Sequence, residues 1–264
     1  MNPLFLYLFN CNRKKIAILY FGFITISLLL LFNMMGLSKL TNQLTKDITL
    51  GIYVLIIGIT AFLLLLIALP SFNKMLKNTM IRYTAISGKK YIYANLFFFT
   101  LMFILLLVIG LIFLYYFSQS TYGGKVVGGY QQEFHKLYAY GFHHHILSVL
   151  LWGIDFMSIL ISCYFTMVIT KLIPLKSSMS KMVLSVIFLA LFLIIQTFIL
   201  DVLSKLEKYV ITIKSTGFID NNGFIDTSLY PSEGFTILDI CFTCLFIIVL
   251  TAITGRIIDK KLEI

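Results

Sequence analysis

Asp155 is the first residue of interest in this 264-residue chain, because it lies in the middle of an otherwise apolar run. A carboxylate at the centre of a membrane helix costs about 2.5 to 3.5 kcal/mol on insertion scales, so it requires a partner or a wet cavity. Two roles fit: contact with a cationic substrate along a transport path, or acceptance of hydrogen bonds from Ser, Thr or Tyr on neighbouring helices. His143, His144 and His145 are consecutive, and on a helix they point about 100° apart, which keeps all three from converging on one ion. Cys241 and Cys244 form a C-x-x-C, but no βαβ pattern accompanies it and a zinc site needs further ligands. Asp220 and Asn222 match the first and third positions of a calcium loop, but Phe224 occupies the fifth. Gly88-Lys89 is followed by Lys90 rather than Ser or Thr, and position 83 is Tyr instead of the first glycine of a P-loop. The chain therefore carries no Walker A sequence, nor H-E-x-x-H or G-x-S-x-G. No catalytic residue, metal ligand or cofactor site is assigned from these patterns.

The elements that must position such residues are set by composition. The chain is 59% hydrophobic and 12% charged, with a mean hydropathy of +0.96, too apolar for one water-soluble core. These values imply an integral membrane protein. The formal charge of +10 comes from short clusters at the ends of apolar runs, which suits anionic head groups and argues against a nucleic-acid partner. Four scattered cysteines form no disulfide framework.

Six runs of spanning length follow, at about 16–38, 48–70, 92–117, 144–170, 182–201 and 235–254. The fold class expected is all-α, with one transmembrane domain over 1–264. Residues 1–15 are apolar but short, ending on Arg13, Lys14 and Lys15, and are expected to lie in the interface as a separate helix. Pro70 is expected to mark the end of the second helix. Segments 118–143 and 202–234 are loops on one side. Within the second, Gly217-Phe218-Ile219-Asp220 is echoed by Gly223-Phe224-Ile225-Asp226, and Asn222-Gly223 signals a hairpin turn.

Orientation follows from the cations. Fourteen of the 21 Lys and Arg fall on the face that carries both termini and seven on the other, which places both termini in the cytoplasm. Five of the fourteen, Lys74, Lys77, Arg82, Lys89 and Lys90, crowd the connection 71–91. There Phe72, Met75, Leu76, Met80 and Tyr83 recur on one helical face, opposite Asn73, Lys74, Lys77, Asn78 and Arg82. That pattern describes an amphipathic helix on the membrane surface. It serves either as a topological anchor or as a docking element for a cytoplasmic partner.

This layout resembles the ABC-2 family of ABC transporter membrane subunits (permeases), in particular the compact ones of low-GC Gram-positive bacteria. The resemblance covers nearly the whole chain. It rests on the N-terminal segment, six spans, the basic connection after the second, Thr84-Ala85-Ile86-Ser87-Gly88-Lys89-Lys90-Tyr91-Ile92 leading into the third, and the long segment before the sixth. Many relatives have a proline just before the Ser/basic pair, where this chain has Ala85-Ile86. The resemblance implies a bacterial plasma-membrane protein whose connection 71–91 is a coupling helix docking a separate ATP-binding cassette subunit. Met75, Asn78, Met80, Arg82, Tyr83, Ser87 and Lys89 would form that surface. It further implies a homo- or heterodimer with a second membrane subunit, with ATP and Mg bound by the partner ATPases rather than by this chain. The cargo of compact relatives is often an antimicrobial peptide, exported or resisted. A membrane enzyme using Asp155 and the histidines, and a non-transporting scaffold or sensor, remain as alternatives.

Overall fold

The computed structural model describes residues 2–37, 43–77, 87–122, 142–173, 178–206, 210–211, 217–220, 223–226 and 235–261. Six helices dominate: α1 (Asn2–Leu37), α2 (Gln43–Lys77), α3 (Gly88–Tyr122), α4 (Phe142–Leu172), α5 (Ser178–Leu206) and α6 (Ile237–Lys261). Each is long and apolar enough to cross a membrane. The chain is a multi-pass membrane protein. Two short strand pairs lie between α5 and α6: β1 (Val210–Ile211) pairs with β4 (Phe235–Thr236), and β2 (Gly217–Asp220) with β3 (Gly223–Asp226), both antiparallel. Asp220 is paired with Gly223, so only residues 221 and 222 separate the strands and the glycine of the expected turn belongs to β3.

α3 is the centre of the bundle, packed against α1, α2, α4 and α6. Its sequence explains the position, since Ile92, Leu96, Phe99, Phe103, Leu106, Gly110, Leu114 and Phe117 recur every three or four residues and are buried. Water gives no hydrophobic drive between helices inside a bilayer, so close packing and polar contacts must hold them. Phe103 stacks on Phe156 of α4 with centroids 4.2 Å apart. Gly110 lets α2 approach, with the Tyr53 hydroxyl donating to its carbonyl at 2.9 Å. A Cβ there would sit 3.2 Å from Ile57 Cδ1. α5 is the outermost helix: none of its most apolar window is buried. It is held by Phe192, between Phe165 and Phe246, and by Gln196, whose Nε2 donates to Ser158 Oγ at 2.8 Å.

Every helix runs past its expected span at one end at least, α1 at its start, α6 at its end and the other four at both. Hydropathy marks the roughly 30 Å of hydrocarbon, about 20 residues, whereas a helix continues wherever its backbone is still paired and its side chains still packed. Pro70 is inside α2, not at its end. The stripe Leu64, Ala68, Phe72 and Met75 stays buried across it, and that packing carries the helix on to Lys77.

Residues 2–15 are likewise the first turns of α1 rather than a separate helix. Leu4 and Leu8 are buried, and Phe5 meets Phe98 edge-on at 5.1 Å. Seven residues on, about 10 Å along the axis, Asn12 bonds Ser71, whose neighbour Phe72 stacks on Tyr164, which in turn reaches Asn95. Asn95 is within one turn of Phe98. Farther along, Tyr20 donates to the Met102 carbonyl, only four residues past Phe98, so between Phe5 and Tyr20 α1 advances farther along its own axis than along α3.

Candidate functional site

The basic connection is framed at both ends. On the α2 side, three consecutive residues, about 100° apart around the helix, are each held by a neighbour. Ser71 Oγ accepts from Asn12 Nδ2 of α1 at 2.8 Å. Phe72 stacks on Tyr164 of α4 at 4.1 Å and 16°. Asn73 Oδ1 accepts from Lys171 Nζ, also of α4, at 2.6 Å. The Tyr164 hydroxyl donates onward to Asn95 Oδ1 of α3, and both side chains are fully buried. Residue types dictate this arrangement, because polar side chains at a helix end buried among apolar neighbours must find partners within the bundle.

On the α3 side, the Gly88 amide donates to Asp259 Oδ1 of α6 at 2.6 Å, and Lys90 N–H closes a turn on the Ser87 carbonyl at 2.9 Å. Gly255 lies against Lys89 so closely that a Cβ on it would fall 2.5 Å from Lys89 Cγ and 3.0 Å from Lys89 N. The short stretch 78–86 thus joins two fixed points, one bound to α1 and α4, the other to α6.

This end of the bundle is strongly positive. Arg13, Lys14, Lys15, Lys74, Lys90, Arg256 and Lys260 are exposed, and among the described residues Asp259 is the one acid nearby, already bonded to Gly88. Such a surface favours anionic head groups or an acidic face of a partner protein.

The structure separates the residues expected to dock a partner. Met75 is 1% exposed and belongs to the bundle core, so it supports the connection from within. The periodicity of Phe72, Met75 and Leu76 is real, but that apolar face packs on helices rather than on the membrane surface. Ser87 is exposed and Lys89 half-buried over Gly255. Asn78, Met80, Arg82 and Tyr83 lie outside the described residues.

Asp155 is half-buried on α4, next to the buried Phe156 and three residues before the buried Ser158. Sixteen residues separate it from Lys171, about 24 Å of helix, so Asp155 is not part of the framed connection. The side chains of His143 to His145 are outside the described set. Cys241 and Cys244 are free thiols, and no three His, Cys, Asp or Glu side chains gather among the described residues.

The contacts made by Asn12, Ser71, Asn73, Asn95, Tyr164, Lys171, Gly255 and Asp259 escaped sequence reasoning. Only Asp259 had a local signal: an acid in the last turn of a helix, where the macrodipole favours cations.

Fold and site define a multi-pass membrane protein, with six helices of spanning length among the described residues, whose second and third are joined by a basic connection tied to three other helices. No protein-family model, curated protein or solved structure matches the chain.

Proposed function

We propose that this chain is the membrane-spanning subunit of an ATP-driven ABC transporter of the ABC-2 kind, with the connection 71–91 receiving a cytoplasmic ATP-binding cassette subunit. The observation that carries the reading is the double anchoring of the connection. Force delivered to residues 78–86 passes to α1 and α4 through Ser71, Phe72 and Asn73, and to α6 through Gly88. A topological anchor needs only charge; a coupling element needs stiff attachments to helices that must move.

In this reading both termini are cytoplasmic and a second membrane subunit completes a dimer. ATP and Mg are bound by the partner ATPases, and an amphipathic or peptide-like cargo moves outward. Ser87 and Lys89, with Asn78, Met80, Arg82 and Tyr83, form the docking surface. Met75 fastens it to the core. Asp155 is reserved for the substrate path.

The test pairs two variants. Asn78→Pro disrupts any helix in the connection, at about 3 kcal/mol of local helix stability, with no change of charge. Lys74→Gln with Lys77→Gln removes charge and leaves the helix. The proline variant should insert normally yet lose ATPase co-purification or substrate-stimulated ATP hydrolysis, while the glutamine variant keeps most of both. A chain that purifies from its native membrane without an ATPase, together with a proline variant indistinguishable from wild type, refutes the proposal.

A further inference from the structure

Asp259 sits in the last turn of α6, which ends at Lys261. Unpaired carbonyls give a helix C-terminus partial negative charge, so an acid there opposes its own helix, while Arg256 and Lys260 suit it. The carboxylate has a favourable setting only through α3. The Gly88 amide is one of the four N-terminal donors that a helix cannot satisfy internally. Gly88 is also buried, and a buried amide without an acceptor is costly. Asp259 Oδ1 supplies that acceptor at 2.6 Å, from 171 residues further along the chain. An anion at the positive end of α3 gains from the dipole as well.

The two glycines make the contact possible. A Cβ on Gly88 would lie 2.8 Å from Asp259 Oδ1, 2.9 Å from the Gly255 carbonyl oxygen and 3.0 Å from Ile258 Cβ. One of those atoms is backbone, and moving the carboxylate breaks the bond that holds the turn. Gly255 is constrained in the same way by Lys89, including its backbone nitrogen. Main chains therefore touch here, over one turn of each helix.

We propose that Asp259 is a positioning residue: it locks the first turn of α3 to the end of α6, so that the basic connection and the C-terminal helix move as one body. The lock fixes the α3 end of the connection and gives it a direct route to α6 that bypasses α2. Its importance for partner docking rests on the transporter reading. The lock itself is testable on this chain alone.

The experiment is hydrogen–deuterium exchange of the purified chain in lipid nanodiscs, followed in peptides covering 87–92. Asp259→Leu removes the acceptor at similar volume, and Asp259→Asn keeps an Oδ1 able to accept. A lost helix cap corresponds to about 5- to 30-fold in an opening equilibrium. Exchange of the Gly88–Tyr91 amides should rise by about that factor in Asp259→Leu, stay within about 2-fold of wild type in Asp259→Asn, and remain unchanged in peptides from α2. Wild-type exchange in the Leu variant overturns the lock, as does equal acceleration in Leu and Asn. Should Asp259→Leu fail to accumulate, a second variant, Gly88→Ala, whose added Cβ would lie 2.8 Å from Asp259 Oδ1, is followed in the same peptides. Its exchange should rise by a similar factor, and wild-type exchange there overturns the lock. Failure of an ATPase to co-purify would defeat the docking proposal and leave this result standing.

Discussion

Replacing Tyr164 by Phe removes one hydroxyl from a fully buried site and keeps the ring that stacks on Phe72 at 4.1 Å. The hydroxyl donates to Asn95 Oδ1, and Asn95 Nδ2 already has no partner, so the variant leaves a carboxamide with neither end satisfied. A stranded buried polar group costs about 1 to 3 kcal/mol in general. Side-chain hydrogen bonds between membrane helices average about 0.6 kcal/mol and reach about 1.7. With the amide fully enclosed, the upper part of the membrane range applies, so Tyr164→Phe should cost about 1 to 1.5 kcal/mol. Tyr164→Leu also loses the aromatic pair, worth about 0.5 to 1.5 kcal/mol, and leaves unfilled volume. It should cost about twice as much. Asn95→Leu strands the tyrosine hydroxyl instead, at a comparable cost. The double variant Tyr164→Phe/Asn95→Leu strands nothing and should be more stable than either single one. Unfolding by SDS in mixed micelles, followed through the single tryptophan, Trp152 on the same helix, measures the four variants against wild type. A double variant whose cost is the sum of the singles, with coupling below about 0.3 kcal/mol, would refute the idea that this bond ties α4 to α3.

Gly58 has nothing within 4 Å of an added Cβ, whereas Gly110 faces Ile57 Cδ1 at 3.2 Å. In the same assay Gly58→Ala should be neutral or stabilise by up to about 1 kcal/mol, and Gly110→Leu should cost about 1 to 3 kcal/mol by overpacking. At the seam of α4 and α5, Gln196 Oε1 is buried without a partner while its Nε2 uses Ser158. Ser158→Ala, which strands the whole amide, should cost about 1 to 2 kcal/mol, and Gln196→Leu, which removes it, less than about 0.5. For topology, Ser87→Cys in a chain without native cysteines should be shielded from an impermeant thiol reagent in intact cells, and Asn221→Cys should be labelled. The reverse pattern would overturn the charge-based orientation.

The six spans could be read from the sequence because a helix facing lipid must be apolar over about 20 residues, and the chain shows six such runs. The repeated Gly-Phe-Ile-Asp hairpin was legible too, being local. Helix ends were not, because hydropathy falls off at the membrane surface while packing continues, as at Pro70 and at Leu4. In the basic connection, periodicity put Phe72 and Met75 on one face, but periodicity cannot say whether lipid, a partner or the bundle covers it. The Gly88–Asp259 bond spans 171 residues, and no spacing rule brings such a pair together. Asn12 and Ser71, 59 residues apart, pose the same difficulty.

The hairpin has a property that its pairing alone does not announce. Gly217 pairs with Asp226, Phe218 with Ile225, Ile219 with Phe224 and Asp220 with Gly223. Opposed positions share a face and faces alternate along a strand, so positions 218, 220, 223 and 225 belong to one face and 217, 219, 224 and 226 to the other. Each has one Phe, one Ile, one Asp and one Gly. By residue type neither face is greasier than the other. A sheet element is usually committed to one orientation by a greasy side and a wet side; this one carries no such commitment.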